Sequence, residues 1–185
     1  MSQTDAGLIR RAQQGDQQAL VDIYERCQPS IYTYIFYRIG DQALSEDLTA
    51  EVFVRMIDKL PAFVQDKRPI LAWLYTIARN LVIDHYRRAG KQVPLLIEES
   101  LMVDDELTRP PALVEQRLSR QNLVKALRHL TEEQRQVIVL KFVEDRSNAE
   151  VAVLLDKTEG AVKSLQHRAL AALQRVLEQE LSYER

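Results

Sequence analysis

Lys163, His167 and Arg168 lie close together in the stretch "TEGAVKSLQHRALAAL", Thr158 to Leu173. Side chains of these types bind phosphate oxygens or the acceptor edges of purines when a helix enters the major groove. Thr158 and Ser164 add short hydroxyl side chains to the same segment. Glu159 complements the helix dipole as a first-turn acid; accepting a bond from a cytosine amine is its second reading. The same residues also suit an ordinary solvated helix face, and spacing alone leaves both open. A second group sits far away in the chain. Phe63, Trp73, Tyr75, His85 and Tyr86 are interleaved with Lys67, Arg68, Arg79, Asn80, Arg87 and Arg88. Aromatic faces beside cations are what unpaired bases require: stacking for the base and positive charge for the backbone. The competing role is structural, with Phe63 and Trp73 pinning a loop to a helix. Tyr24, Tyr32, Phe36 and Phe53 follow helical spacing and read as core.

A third group is acidic. In "SEDLTAEVFVRMIDKL", Val52, Met56 and Leu60 follow core spacing, while Asp47, Glu51 and Asp58 lie off that stripe. With Leu48, Val54 or Phe53 exposed beside them, these carboxylates would dock a basic partner helix. Alone they read as a solvated face.

The elements that position these groups are helical. No useful length of sequence alternates with the period of two that strands require. Expected helices cover residues 5–14, 17–39, 41–59 and 70–88. Asp41 caps the third, and Pro61 ends it. Pro29 falls inside the second, where a kink or break is expected. Phe63 to Pro69 form a loop. Further on, 114–129 is helical. Thr131 and Gln134 form a capping box for a helix reaching about Val143. Ser147 caps a helix to Leu155, and Thr158 one to about Glu180. The last two have helix-turn-helix proportions. Val162, Leu165, Ala169, Ala172, Leu173 and Val176 fall on one face of the last helix. Small Ala149 and Ala152 favour close approach. The fold expected is all-α: an N-terminal helical bundle and a C-terminal four-helix domain with a helix-turn-helix.

Between the two parts lies "KQVPLLIEESLMVDDELTRPPALVE", which has three prolines and, from Glu98 to Glu115, sets six acids against Arg109. Residues 91–112 read as an acidic linker. The domains expected are therefore 1–90 and 113–185. The net charge of −2 over 185 residues does not exclude DNA binding, because local patches set phosphate contacts. Residues 1–90 balance 11 basic and 11 acidic side chains, yet Asp66 to Lys91 holds six bases against two acids. Lys157 to Arg175 holds four bases against Glu159.

No membrane span or signal-peptide core is visible, so a cytoplasmic protein without membrane insertion is expected. The single cysteine, Cys27, excludes an intrachain disulfide and reads as a core residue. HExxH, P-loop and Gly-x-Ser-x-Gly patterns are absent, and His85, His129 and His167 lack metal-ligand spacing. No enzyme activity, catalytic residue, cofactor or metal is expected.

Taken together, these residues resemble a bacterial RNA polymerase sigma factor of the extracytoplasmic-function (ECF) group. "DLTAEVFVRM" is similar to the family's polymerase-docking motif. "AWLYTIARNLVIDHYRR" resembles its promoter-melting and −10-reading helix. "LTEEQRQVIVLKFVEDRSNAEVAVLLDKTEGAVKSLQHRAL" resembles its −35-reading domain. The resemblance implies core RNA polymerase and promoter DNA as partners, with an anti-sigma protein as a further one. It implies polymerase binding through Asp47, Leu48, Glu51 and Phe53. It assigns the −10 element to Phe63, Lys67, Arg68, Trp73, Arg79, Asn80, Asp84, His85, Arg87 and Arg88. It assigns the −35 element to Thr158, Glu159, Lys163, Ser164, His167 and Arg168. The acidic linker would thread the polymerase's RNA path. Many relatives have Gln at the position of Ala50 and Arg-Leu at that of Leu165-Gln166. Asp156 occupies a helix-end site often filled by Gly, which Asp tolerates better than most residues. The alternative reading is a helix-turn-helix regulator that acts without polymerase, which leaves the docking helix and the aromatic-basic group unexplained.

Overall fold

Asp16 starts the first long helix because its carboxylate accepts from the N–H groups of Gln18 (2.9 Å) and Ala19 (3.2 Å). Gly15, at φ 86°, makes the tight turn just before it. The computed structural model describes residues 3–64, 68–89 and 120–183. The first unit contains α1 (Gln3–Gln13), α2 (Gln17–Ile39), α3 (Gln42–Lys59) and α4 (Ile70–Arg88). A 3-10 turn at Leu60–Ala62 follows α3. Gly40, left-handed at φ 78°, closes α2 by donating to Phe36 O at 2.8 Å. Asp41 then caps α3 through the Leu44 N–H at 2.9 Å.

The second unit is built from α5 (Arg120–Leu127), α6 (Glu132–Ile138), the start of α7 (Asn148–Leu155) and α8 (Glu159–Tyr183). Thr131 and Gln134 form the expected capping box, with bonds of 3.1 and 3.0 Å. Ser147 and Glu150 form another, in which each backbone N–H meets the other's side-chain oxygen. Among the described residues there is no strand.

Each unit has its own core. In the first, α2 packs on α3 and α4, and α1 packs on α2. Ile23, Ile31, Ile35, Val52, Met56, Leu74 and Val82 are almost fully enclosed. Burial of each such side chain stabilises the unit by about 1.5–3 kcal/mol as an upper estimate. Cys27 is buried among them as a small apolar residue. In the second unit, α6 and α5 pack on α8. Leu127, Leu130, Val137, Leu140, Val162 and Ala169 form the centre. Arg135 is also buried there. Its Nε donates to Leu127 O at 2.8 Å and its Nη2 to Leu130 O at 3.2 Å. Those carbonyls lie at the end of α5 and in the turn after it, and Leu127 O also accepts from the Leu130 N–H at 3.2 Å.

Three expectations change. α2 runs unbroken through Pro29. Pro29 is exposed, so water can satisfy the carbonyl that lost its donor. The helix after Thr131 is α-helical only to Ile138; Val139–Val143 widen into a π-turn ended by Asp145 at φ 52°. Tyr24, whose spacing is that of a core residue, is exposed and meets Phe53 edge-on at 4.8 Å. The linker 91–112 and residues 114–119 of the expected helix 114–129 lie outside the described residues.

Candidate nucleic-acid interface

Helix α8 separates two chemistries by periodicity. Val162, Leu165, Ala169 and Leu173 are buried, while Thr158, Glu159, Gly160, Lys163 and Arg168 are exposed. Thr158 fixes its start by accepting from the Ala161 N–H at 3.2 Å. The turn before it depends on Asp156, which adopts the left-handed φ of 55°. Lys157 N–H then reaches back to Ala152 O at 2.9 Å, closing α7. Lys157 also pairs with Glu133 of α6 at 2.7 Å. A Cβ at Gly160 would meet only Thr158 Oγ1, at 4.0 Å. The first turn therefore presents backbone N–H groups to an open surface, suited to a phosphate. Ser164 is half-buried. His167 is half-buried too, and its Nε2 is enclosed without a hydrogen-bond partner among the described residues. Lys163 and Arg168 are thus the members of this face with exposed cationic heads. Ala152 is buried as the close approach of helices requires, whereas Ala149 is exposed.

Helix α4 carries the second group. Pro69 leads into it, and Ile70, Leu71, Leu74, Ile77, Ala78, Leu81 and Val82 bury one side. Tyr86 Oη donates to Arg38 O at 2.7 Å, tying the basic end of α4 to the end of α2. At about 3.6 residues per turn, Trp73, Asn80, Asp84 and Arg87 share a face. Arg79 and His85 each project about a third of a turn to either side of it. Arg68, Arg79, Asn80, Arg87 and Arg88 are exposed, and Asp84 and His85 half-buried. Arg87 reaches Asp84 at 4.0 Å, an exposed pair of little energetic weight. The Phe63 ring stacks on Trp73 with centroids 4.3 Å apart and planes 27° from parallel. Both rings are half-buried, so the pair anchors the chain after α3 and keeps part of its aromatic surface open. Tyr75 is instead a core residue, buried against Tyr34 at 5.1 Å. Lys67 lies outside the described residues.

On α3, Asp47 is exposed, Leu48 half-buried, and Glu51 engaged by Arg55 at 2.8 Å. Phe53 is buried, as its core spacing implies, and so departs from the role of an exposed docking group. Its ring lies on the inward side of α3 and supports Tyr24 from beneath. Val54 and Ile57 supply the exposed apolar surface of the helix, with Val21 and Tyr24 exposed on α2.

One positioning residue gave no local sign in the sequence. Gln13 Nε2 donates to Leu60 O at 3.0 Å and to Phe63 O at 2.8 Å. Its partners lie 47 and 50 residues away, beyond the reach of helical periodicity. No group of His, Cys, Asp and Glu among the described residues could hold a metal ion. No described helix is long and apolar enough to cross a membrane.

Comparison with known proteins agrees with this arrangement. Residues 23–92 match the family Sigma-70 region 2, and residues 120–173 match Sigma-70, region 4. The ECF RNA polymerase sigma factor BldN of Streptomyces coelicolor is 38% identical over 92% of this chain. The chain spans 64% of the length of that relative. The ECF RNA polymerase sigma factor SigW of Bacillus subtilis is 32% identical, over 91% of this chain and 94% of its own length. A co-crystal structure of the sigma factor RpoE with the anti-sigma factor NepR from Bartonella quintana has a similar fold. Its TM-score is 0.58 at 23% identity, covering 85% of this chain and 95% of that one. The two matched regions hold the aromatic-basic helix α4 and the helix-turn-helix α7–α8, in the order the sequence places them. The chain belongs to the ECF RNA polymerase sigma factors.

Proposed function

We propose that this chain binds core RNA polymerase, directs it to promoters with its own −10 and −35 elements, and opens the duplex at the −10 element. The observation that carries the proposal is the pairing of two different nucleic-acid surfaces in one chain. α8 offers Lys163 and Arg168 beside an open first turn, which suits a duplex groove. α4 offers the Phe63–Trp73 stack beside Asn80, Arg87 and Arg88, which suits an unpaired base and its backbone. A regulator that only reads duplex DNA has no use for the second surface.

In this reading, residues 1–90 form the polymerase-docking and −10 domain and residues 113–185 the −35 domain. Residues 91–112 join them, and their acids would lie along the polymerase's RNA path. Asp47, Leu48 and Glu51 meet the polymerase on the exposed side of α3, and Phe53 holds that side in shape from within. Phe63, Arg68, Trp73, Asn80, Asp84 and Arg87 surround the −10 strand. Lys67, Arg79, His85 and Arg88 contribute positive or polar character at its edges. Thr158, Glu159, Lys163, Ser164 and Arg168 face the −35 duplex, and His167 shapes the helix beneath them. The chain catalyses no reaction itself and works in the cytoplasm beside the polymerase. An anti-sigma protein is a further partner in this proposal, since the RpoE–NepR complex has the same fold.

The test is reconstitution. Purified chain added to core polymerase co-elutes with it in size-exclusion chromatography and yields a promoter-specific run-off transcript. Failure of both would leave the polymerase-independent regulator as the better account.

A further inference from the structure

We propose that Gln13 is a positioning residue for the capture of the unpaired −10 base, acting through Phe63 and not through contact with DNA. The inference rests on the reading of the Phe63–Trp73 pair as the base platform. Phe63 leaves the end of the 3-10 turn, and it is held from three directions. Its N–H donates to Leu60 O at 3.1 Å. Its ring stacks on Trp73. Its carbonyl accepts from Gln13 Nε2 at 2.8 Å, and the same amide group also donates to Leu60 O at 3.0 Å. A primary amide has two N–H groups, so one side chain can span both carbonyls. The next residue, Val64, is 85% exposed, so the core does not hold the backbone just beyond Phe63.

Gln13 ends α1, and α1 packs against both α2 and the 3-10 turn. Its ties therefore link the platform to an element that carries no −10 residue. Without them, the Phe63 carbonyl would bond to water and the backbone of Phe63 would keep only its N–H tie. The ring would then sample more orientations over Trp73. A base that stacks on a mobile pair must order it on binding, which weakens binding without removing any contact to DNA. Gln13 itself is exposed and adds almost nothing to the core, so its loss leaves the fold in place.

The test uses the holoenzyme and a forked promoter oligonucleotide, taken from a promoter that the holoenzyme selects from a randomised library. Gln13→Met keeps the length of the side chain and removes both donors. Loss of the two bonds is expected to weaken forked-template binding by roughly five- to tenfold. Binding to a −35 duplex stays unchanged, and so does the melting temperature of the free chain to within a few degrees. An abasic site at the captured base removes the difference between Gln13→Met and wild type, an outcome that a general loosening of the fold would not give. Equal forked-template affinity of Gln13→Met and wild type overturns the proposal, provided that Trp73→Ala binds more weakly. If Trp73→Ala also binds like wild type, the base-platform reading itself fails, and the positioning role fails with it. A Gln13→Met defect that persists on the abasic template also overturns it.

Discussion

Replacement of Arg168 by Ala tests the duplex-reading face quantitatively. Arg168 is exposed on α8, and its Nε rests 3.4 Å from Ser164 O one turn back. That bond is long, so the guanidinium can leave it for a phosphate at little cost. Lys163 precedes it by five positions, about 7.5 Å along the axis and well over a quarter turn around it. The two cations therefore flank the helix on different sides, as the two phosphate backbones flank a major groove about 12 Å wide. Each is expected to neutralise one phosphate independently. Removing one phosphate contact lowers the slope of log K against log salt by about 0.9. Over a fourfold rise in salt, from about 50 to 200 mM, the ratio of wild-type to variant affinity then shrinks roughly 3.5-fold. The double variant Lys163→Ala/Arg168→Ala shrinks it roughly 12-fold, because independent contacts add in the exponent. The assay is fluorescence anisotropy of a −35 duplex titrated with holoenzyme across that salt range. If one side chain instead reads a purine edge, its loss costs about 1–3 kcal/mol that does not fade with salt and relaxes preference at one base pair. Unchanged affinity and unchanged slope for both single variants would refute the placement of the recognition face.

Three further outcomes are expected. Trp73→Ala leaves −35 duplex binding intact but slows promoter opening, read by a fluorescent base analogue at the −10 element; opening at the wild-type rate counts against the stacking role. Arg135→Met takes the guanidinium donor from Leu130 O and from Leu127 O, which keeps the Leu130 N–H. It destabilises the chain by about 1–3 kcal/mol in urea unfolding, and a loss under about 0.5 kcal/mol would show that water replaces the guanidinium. Glu150 has its pKa held below the ordinary 4.5, first by the Ser147 N–H, then by the Ser147 hydroxyl, with Arg146 and Lys141 adding charge. A lowered folded-state pKa contributes stability that is present above 4.5 and lost as pH falls through the lowered value. The stability gap between wild type and Glu150→Gln should be full at neutral pH and close below 4.5; a gap independent of pH contradicts the capping assignment.

Most of the helices were legible because their signals are local. Asp41, Thr131, Ser147 and Thr158 start helices through bonds to N–H groups three residues on, and such pairs stand side by side in the sequence. Core periodicity on α8 and on α3 is visible in the sequence at Val162, Leu165, Val52 and Met56, all of which are buried. Asp156 stands in a helix-end place that suits glycine, and its φ is 55°. What escaped depends on three-dimensional context. Pro29 is tolerated because its side of α2 is exposed, a fact of packing. The π-turn at Val139–Val143 has no proline or glycine to mark it. Phe53 reads as core by its spacing and as a docking residue by resemblance, and packing alone decides that it points inward. Gln13 is an unremarked polar residue until the chain brings Leu60 and Phe63 to it. The candidate site was legible as a set of residue types, whereas the sharing of one α4 face by Trp73, Asn80 and Arg87, with Arg79 and His85 off it, follows from helix geometry.

The central claim is that one chain lends the polymerase both recognition of duplex DNA and opening of it. Permanganate reactivity of thymines at the −10 element of a linear promoter measures this directly. The account predicts unpaired thymines only when chain and core polymerase are present together, and their loss with Trp73→Ala. Reactivity with the chain alone, or a protected −35 element with no reactive thymine in the complete holoenzyme, would contradict it.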